Sequence, residues 1–153
     1  MQSIFVQIPS YQDYELSKTI LDCIANSSGK VNINFGIHVC CLNHNDIYIP
    51  KQYPDWVKLN YETSIAPQNI GLQQARYISN EFYNGEDYYL QIDSHMRFKK
   101  NWDLGLISLY GKYRYLGFNK PLITMYPPGY SYDSNFNVVK EDTTSVTFIG
   151  FIE

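Results

Sequence analysis

Several common chemical signatures are missing from this chain of 153 residues. There is no Gly-x-Gly-x-x-Gly and no Gly-x-x-x-x-Gly-Lys-Ser/Thr, which argues against a dinucleotide-binding Rossmann protein and a P-loop NTPase. There is no Gly-x-Ser-x-Gly, which argues against an α/β-hydrolase. Its three cysteines, Cys23, Cys40 and Cys41, form no Cys-x-x-Cys and cannot all pair, so buried free thiols in a reducing compartment are expected. No basic run exceeds Lys99-Lys100 and the net charge is −3, so a nonspecific nucleic-acid partner is not expected. No window approaches the roughly 20 apolar residues of a membrane span. The N-terminus has neither a basic leader nor a long apolar core, and the expected location is cytoplasmic. In that setting the Asn26-Ser27-Ser28 sequon is a chance match.

A folded α/β domain is what remains. Hydrophobic residues make up 44% and charged residues 18%, a balance that supports one real core. Residues 4–8 (IFVQI) read as a buried strand stopped by Pro9, with Asp13 as the N-cap of a following helix. Leu16, Ile20, Leu21 and Ile24 form its apolar stripe, and Gly29 closes it. Ile33, Phe35, Ile37 and Val39 alternate as a second strand, residues 56–61 suggest a third, and residues 69–83 a second helix lined by Leu72, Ala75, Ser79 and Phe82. A central strand over 88–92 follows. A third helix then runs from about residue 101 to Gly117, with Leu106, Leu109, Tyr110 and Tyr113 inward. Strands over 121–126 and 143–152 complete the pattern. This rhythm predicts one domain over 1–153, an α/β sandwich with a largely parallel central sheet.

Strand 88–92 ends abruptly in Asp93-Ser94-His95. Ligands of open α/β sheets sit beyond the carboxyl ends of the strands, and a turn there can aim Asp93 and His95 at one ion. A carboxylate oxygen and an imidazole nitrogen suit manganese or magnesium, with phosphate oxygens in the remaining positions. The alternative is that both residues merely cap the next turn. Ser10, Tyr11 and Asp13 at the end of the first strand either cap a helix or hold a base and ribose. Arg76, on a helix otherwise lined by apolar residues, needs a diphosphate or a carboxylate as partner. His38 and His44 have no metal-spaced partners, and His38 is read as structural or exposed.

Residues 4–13 (IFVQIPSYQD), 71–76 (GLQQAR), 89–103 (YLQIDSHMRFKKNWD) and 122–128 (LITMYPP) together resemble the GlcNAc-transferase family of GT-A-fold glycosyltransferases. The resemblance spans most of the chain in the family's order, and DSHMRF with Trp102-Asp103 behind it is its most specific part. It implies a GT-A-like (Rossmann-like) three-layer sandwich and retaining, metal-dependent transfer of N-acetylglucosamine from UDP-GlcNAc, or a related UDP-sugar, to a hydroxyl of a protein or glycan acceptor. Asp93 and His95 take the place of the family's DxD motif as ligands of a divalent ion (Mn2+ or Mg2+). Ser10, Tyr11, Asp13, Arg76, Asp93 and Ser94 fall where the donor binds. Family members continue beyond residue 153, which implies a chain lacking the acceptor part. The alternatives are a UDP-sugar-binding module that acts with a partner chain, and a metal-dependent phosphatase with an Asp nucleophile.

Overall fold

The computed structural model describes residues 1–43, 48–65, 70–125 and 127–140. The chain divides into two compact units, 1–104 and 105–153. In the first, β1 (Ser3–Tyr11), β2 (Asn32–Cys41), β3 (Val57–Ile65) and β4 (Tyr88–Gln91) form an all-parallel sheet in the order β3-β2-β1-β4. Helices α1 (Leu16–Asn26) and α2 (Gly71–Asn80) are its crossovers. From β1 to β2 the chain steps one way across the sheet; from β3 to β4 it returns the other way. Right-handed crossovers therefore put α1 and α2 on opposite faces. This is the expected parallel α/β architecture, of the Rossmann-like kind.

The centre of the sheet is β1 and β2. Residues 4–10 are buried without interruption, as a strand covered on both faces requires. The strand over 88–92 is not central: among the described residues β4 is an edge strand, and Tyr89 is 46% exposed. Aromatic propensity fits a half-buried edge as well as a core. Nor does Pro9 stop β1, which continues to Tyr11. Gln7 bonds toward β4, since its carbonyl accepts from the Ile92 N–H, and alternation turns Pro9 the same way. Pairing with β4 ends at Gln7, so the missing N–H costs no ladder bond.

On the α2 face, Gly36 lies under the helix. A Cβ there would meet the Ser79 carbonyl oxygen at 2.4 Å and the Phe5 ring at 2.3 Å. Only Ala75 and Ser79 of α2 are buried; Leu72 is exposed, and the helix is shorter than the expected 69–83. Small residues on both sides let the backbones approach closely. On the other face α1 buries Leu16, Ile20 and Cys23 together with Ser17 and Thr19. Leu21, expected in the apolar stripe, is exposed. The three cysteines are buried and form no disulfide among the described residues.

Asp103, fully buried, ties the start of α3 (Trp102–Tyr115) to the end of α1. It accepts hydrogen bonds from the Ser28 N–H at 3.0 Å and the Ser28 hydroxyl at 2.5 Å. The sequon hydroxyl is thus already engaged within the fold. Replacing Asp103 by alanine orphans both donors and should destabilise the protein by about 1–3 kcal/mol in urea titrations.

In the second unit α3 ends as expected at Gly117 (φ 99°). The Phe118 N–H reaches the Tyr113 carbonyl at 3.2 Å and their rings pack at 6.0 Å, the Schellman arrangement with its apolar clasp. The strand expected over 121–126 is not formed in the described part, 121–125. Apolar sequence makes a strand only where a neighbour supplies the ladder. Instead β5 (Tyr130–Tyr132) and β6 (Val138–Lys140) pair antiparallel across a turn organised by Asp133, which accepts from the Asn135 and Asn137 N–H groups. The strand expected over 143–152, like His44 and Tyr126, lies outside the described residues.

Candidate functional site

The strand order reverses between β1 and β4, because α1 leaves β1 toward β2 while α2 delivers the chain to the other side. Such a switch point opens a crevice beyond the carboxyl ends of the two strands. Two loops meet there. The first leaves β1 through Gln12, a non-glycine residue at φ 48°, whose N–H bonds the Cys40 carbonyl at 2.8 Å. That left-handed residue turns Asp13 away from β2 and toward the loop that leaves β4.

Asp13 joins the two loops. Its Oδ1 accepts from the Glu15 N–H at 2.9 Å. Its Oδ2 accepts from the Ser94 hydroxyl at 2.6 Å and pairs with His95 Nδ1 at 2.9 Å. Asp13 is therefore not the N-cap of α1. The helix starts at Leu16 with Glu15 in the cap position, and the carboxylate faces β4 instead. Burial pushes the Asp13 carboxyl up, but the bonds from Ser94, His95 and Glu15, with the charge of His95, outweigh it and hold the group below its ordinary value.

The β4 loop is fixed along α1 by a polar stripe. Thr19 donates its hydroxyl to the Ser94 carbonyl at 2.7 Å and accepts from the Met96 N–H at 2.9 Å. Asp22 accepts from the Phe98 N–H at 2.6 Å, and Glu15 pairs with the buried Arg97 guanidinium. Trp102 Nε1 bonds the Cys23 carbonyl at 2.9 Å. Sequence reasoning missed this contact set. Its signal was legible, since Glu15, Thr19 and Asp22 follow i, i+4, i+7 spacing and lie on one face.

Of the residues singled out in the sequence, Asp13, Ser94 and His95 are brought together in direct contact. Ser10 is buried at the end of β1, and its hydroxyl has no partner among the described residues. Tyr11 is 54% exposed beside it. The Asp93 carboxylate is exposed and makes no hydrogen bond or ion pair among the described residues. Arg76 lies on α2, where its carbonyl accepts from Gln7 Nε2 at 2.7 Å. Its Nε is buried without a partner, and it has no carboxylate among the described residues. Its charge is felt at Tyr89, whose phenol burial pushes up and Arg76 pulls back. His38, on the same face of the sheet, is fully buried with neither ring nitrogen bonded among the described residues. Burial holds it below its ordinary value against the pull of Glu62, so it is a neutral imidazole.

By donor chemistry, a carboxylate oxygen and an imidazole nitrogen suit a divalent ion shared with a ligand. With the proton on Nδ1 facing Asp13, the Nε2 lone pair of His95 points outward, the arrangement that prepares a histidine for a metal. Asp93 offers a free hard carboxylate. No group of three His, Cys, Asp or Glu residues suited to a metal occurs among the described residues, so Asp93 and His95 would leave several positions to ligand oxygens.

A family model described as glycosyltransferase (GlcNAc) matches residues 59–152, more than half of the chain. Arg76, Asp93, Ser94 and His95 lie inside the match; Ser10, Tyr11 and Asp13 precede it. Comparison with curated proteins and with solved structures gave no match. Among the described residues no helix is long and apolar enough to cross a membrane.

Proposed function

Because the chain belongs to the GlcNAc glycosyltransferase family, a family that joins a sugar donor to an acceptor, we propose that it moves N-acetylglucosamine from UDP-GlcNAc to a protein or glycan hydroxyl. The reading places the diphosphate at the switch point between β1 and β4, with a divalent ion held by Asp93 and His95. The single observation that carries it is the meeting of Asp13 with Ser94 and His95 at that point.

Each residue has a definable task. Asp13 holds the His95 ring in one tautomer and one orientation. Ser94 locks the carboxylate by donating to the same oxygen, and Thr19 fixes the Ser94 backbone. In this reading Arg76, with a charge no protein carboxylate neutralises among the described residues, would supply positive charge to the departing UDP. Tyr11 presents an exposed ring beside the β1 terminus for the base to stack on. A bound divalent ion would supply Lewis-acid stabilisation of the leaving diphosphate. Retention at the anomeric carbon is compatible with the leaving phosphate accepting the proton of the incoming hydroxyl, so that step requires no protein base.

Calorimetry with UDP, with and without manganese, tests the site. Asp93→Ala should abolish metal-dependent UDP binding and leave the melting curve unchanged, because an exposed strand-end carboxylate contributes within about 0.5 kcal/mol to folding. Arg76→Ala should weaken UDP more than uridine. Equal losses would assign the guanidinium a structural role. Adding UDP-GlcNAc with and without acceptor then separates transfer from a module that only binds the donor: binding with neither transfer nor hydrolysis selects the second.

A further inference from the structure

A separate concavity of about 350 Å³ lies at the opposite end of the sheet, where the strands begin. Asn34 is the third residue of β2, Lys58 the second of β3, and Glu86 stands just before β4. The segment that follows α2 closes the far wall with Glu81 and the rings of Phe82 and Tyr83. At about 3.3 Å per residue, this floor is roughly 20 Å along β2 from the strand ends that carry Asp13 and Ser94.

The floor is a held carboxylate. Glu86 is 9% exposed, and its two oxygens accept from Asn34 Nδ2 at 2.5 Å and the Asn84 N–H at 2.9 Å. Burial pushes this carboxyl up, but those two bonds and the charge of Lys58 hold it below its ordinary value, so it stays ionised. A carboxylate has about four acceptor positions, which leaves capacity on each oxygen. Among the described residues neither Glu86 nor Glu81 forms an ion pair with a lysine or arginine, and Lys58 forms none with a carboxylate. Donor and acceptor capacity therefore faces the cavity from three sides.

The lining also discriminates among ligand classes. Two carboxylates against one lysine disfavour an anion. Lys58, and the lack of a third carboxylate in the lining, disfavour a bare divalent cation. Amide and charged walls disfavour an apolar molecule. A neutral polyol satisfies all of them: its hydroxyls donate to Glu81 and Glu86, accept from Lys58 and the amides of Asn34 and Asn60, and its C–H face lies against an aromatic ring. The volume is at the small end for ligand pockets and suits one or two pyranose rings. We propose that this cavity is a saccharide-binding subsite, distinct from the site where UDP is placed.

The test is an NMR titration of the full chain with free GlcNAc and with glucose, read on the side-chain amides of Asn34, Asn60 and Asn84. Magnesium chloride and potassium phosphate serve as controls. The proposal expects saturating shifts at these amides with sugar, unchanged when UDP and magnesium are already present. Lys58→Ala and Asn60→Ala, both at exposed positions on β3, should each raise the apparent Kd at least fivefold while keeping the melting temperature. Should either variant fail to fold, Glu81→Gln replaces it. Absence of saturation, loss of the sugar shifts on adding UDP, a stronger response to phosphate or magnesium, or variants that bind as wild type would each overturn it. UDP binding is read separately in the same samples, so failure of the donor site and failure of this subsite are distinguishable.

Discussion

Alanine in place of Asp13 should lower metal-dependent UDP affinity at least tenfold, although Asp13 is not itself placed on the metal or the donor phosphates. Its carboxylate is the common acceptor of Ser94, His95 and the Glu15 N–H. Without it the His95 ring turns freely and the buried Ser94 hydroxyl loses its partner, at a cost of about 1–3 kcal/mol in folding. Asparagine at the same place should keep much of the stability, since an amide oxygen still accepts from Glu15. It should not restore affinity, because an NH2 group presented to His95 selects the opposite tautomer. The pH profile supplies a second readout. The folded carboxyl is held below its ordinary value, so its contribution is full above the unfolded pKa of about 3.9 and is lost as pH falls through the folded one. Wild type should lose its advantage over Asp13→Ala below about pH 4. Equal UDP affinity in wild type and Asp13→Ala would leave the aspartate a turn residue and nothing more.

Gly36→Ala should be the most damaging glycine-to-alanine change among the described residues. The added Cβ would stand 2.4 Å from the Ser79 carbonyl oxygen and 2.3 Å from Phe5, in a sheet paired on both sides of β2. Overpacking of a tight core costs about 1–3 kcal/mol, and more where backbone has to move. The denaturant midpoint should fall without a change in m-value. Trimming Phe5 to leucine in the same chain should not rescue it, because the carbonyl belongs to α2 and cannot be trimmed. Gly111→Ala is the control. Nothing lies within 4 Å of that position in α3, and replacing a helical glycine there should stabilise by up to about 1 kcal/mol. A midpoint for Gly36→Ala within error of wild type would mean that α2 rides further from the sheet than described.

The sheet alternation and the end of α3 were readable because each is decided locally. Ile33 to Val39 alternate, Gly117 takes the left-handed angle that ends α3, and the polar run after β4 sits where a strand has to stop. Reading failed where a partner distant in sequence makes the decision. Pro9 stays within β1 because β4 has already ended beside it. Residues 121–125 form no strand although their sequence suits one. Leu21 and Leu72 face solvent because α1 spends a face on the β4 loop and α2 packs through small residues.

The candidate site divides in the same way. Asp93, Ser94 and His95 were legible as chemistry without their partner. That Asp13, some 80 residues earlier, receives both Ser94 and His95 was not, because it depends on β1 and β4 lying side by side.

The sequence alone determined the α/β rhythm, the position of each strand-end polar run and the family to which those runs belong. Tertiary structure alone decided which strands are central, which side chain orients His95, and where Arg76 is left without a carboxylate among the described residues. The division is physical: backbone propensity and periodicity act over a few residues, whereas strand order is fixed by burial of whole faces and handed crossovers.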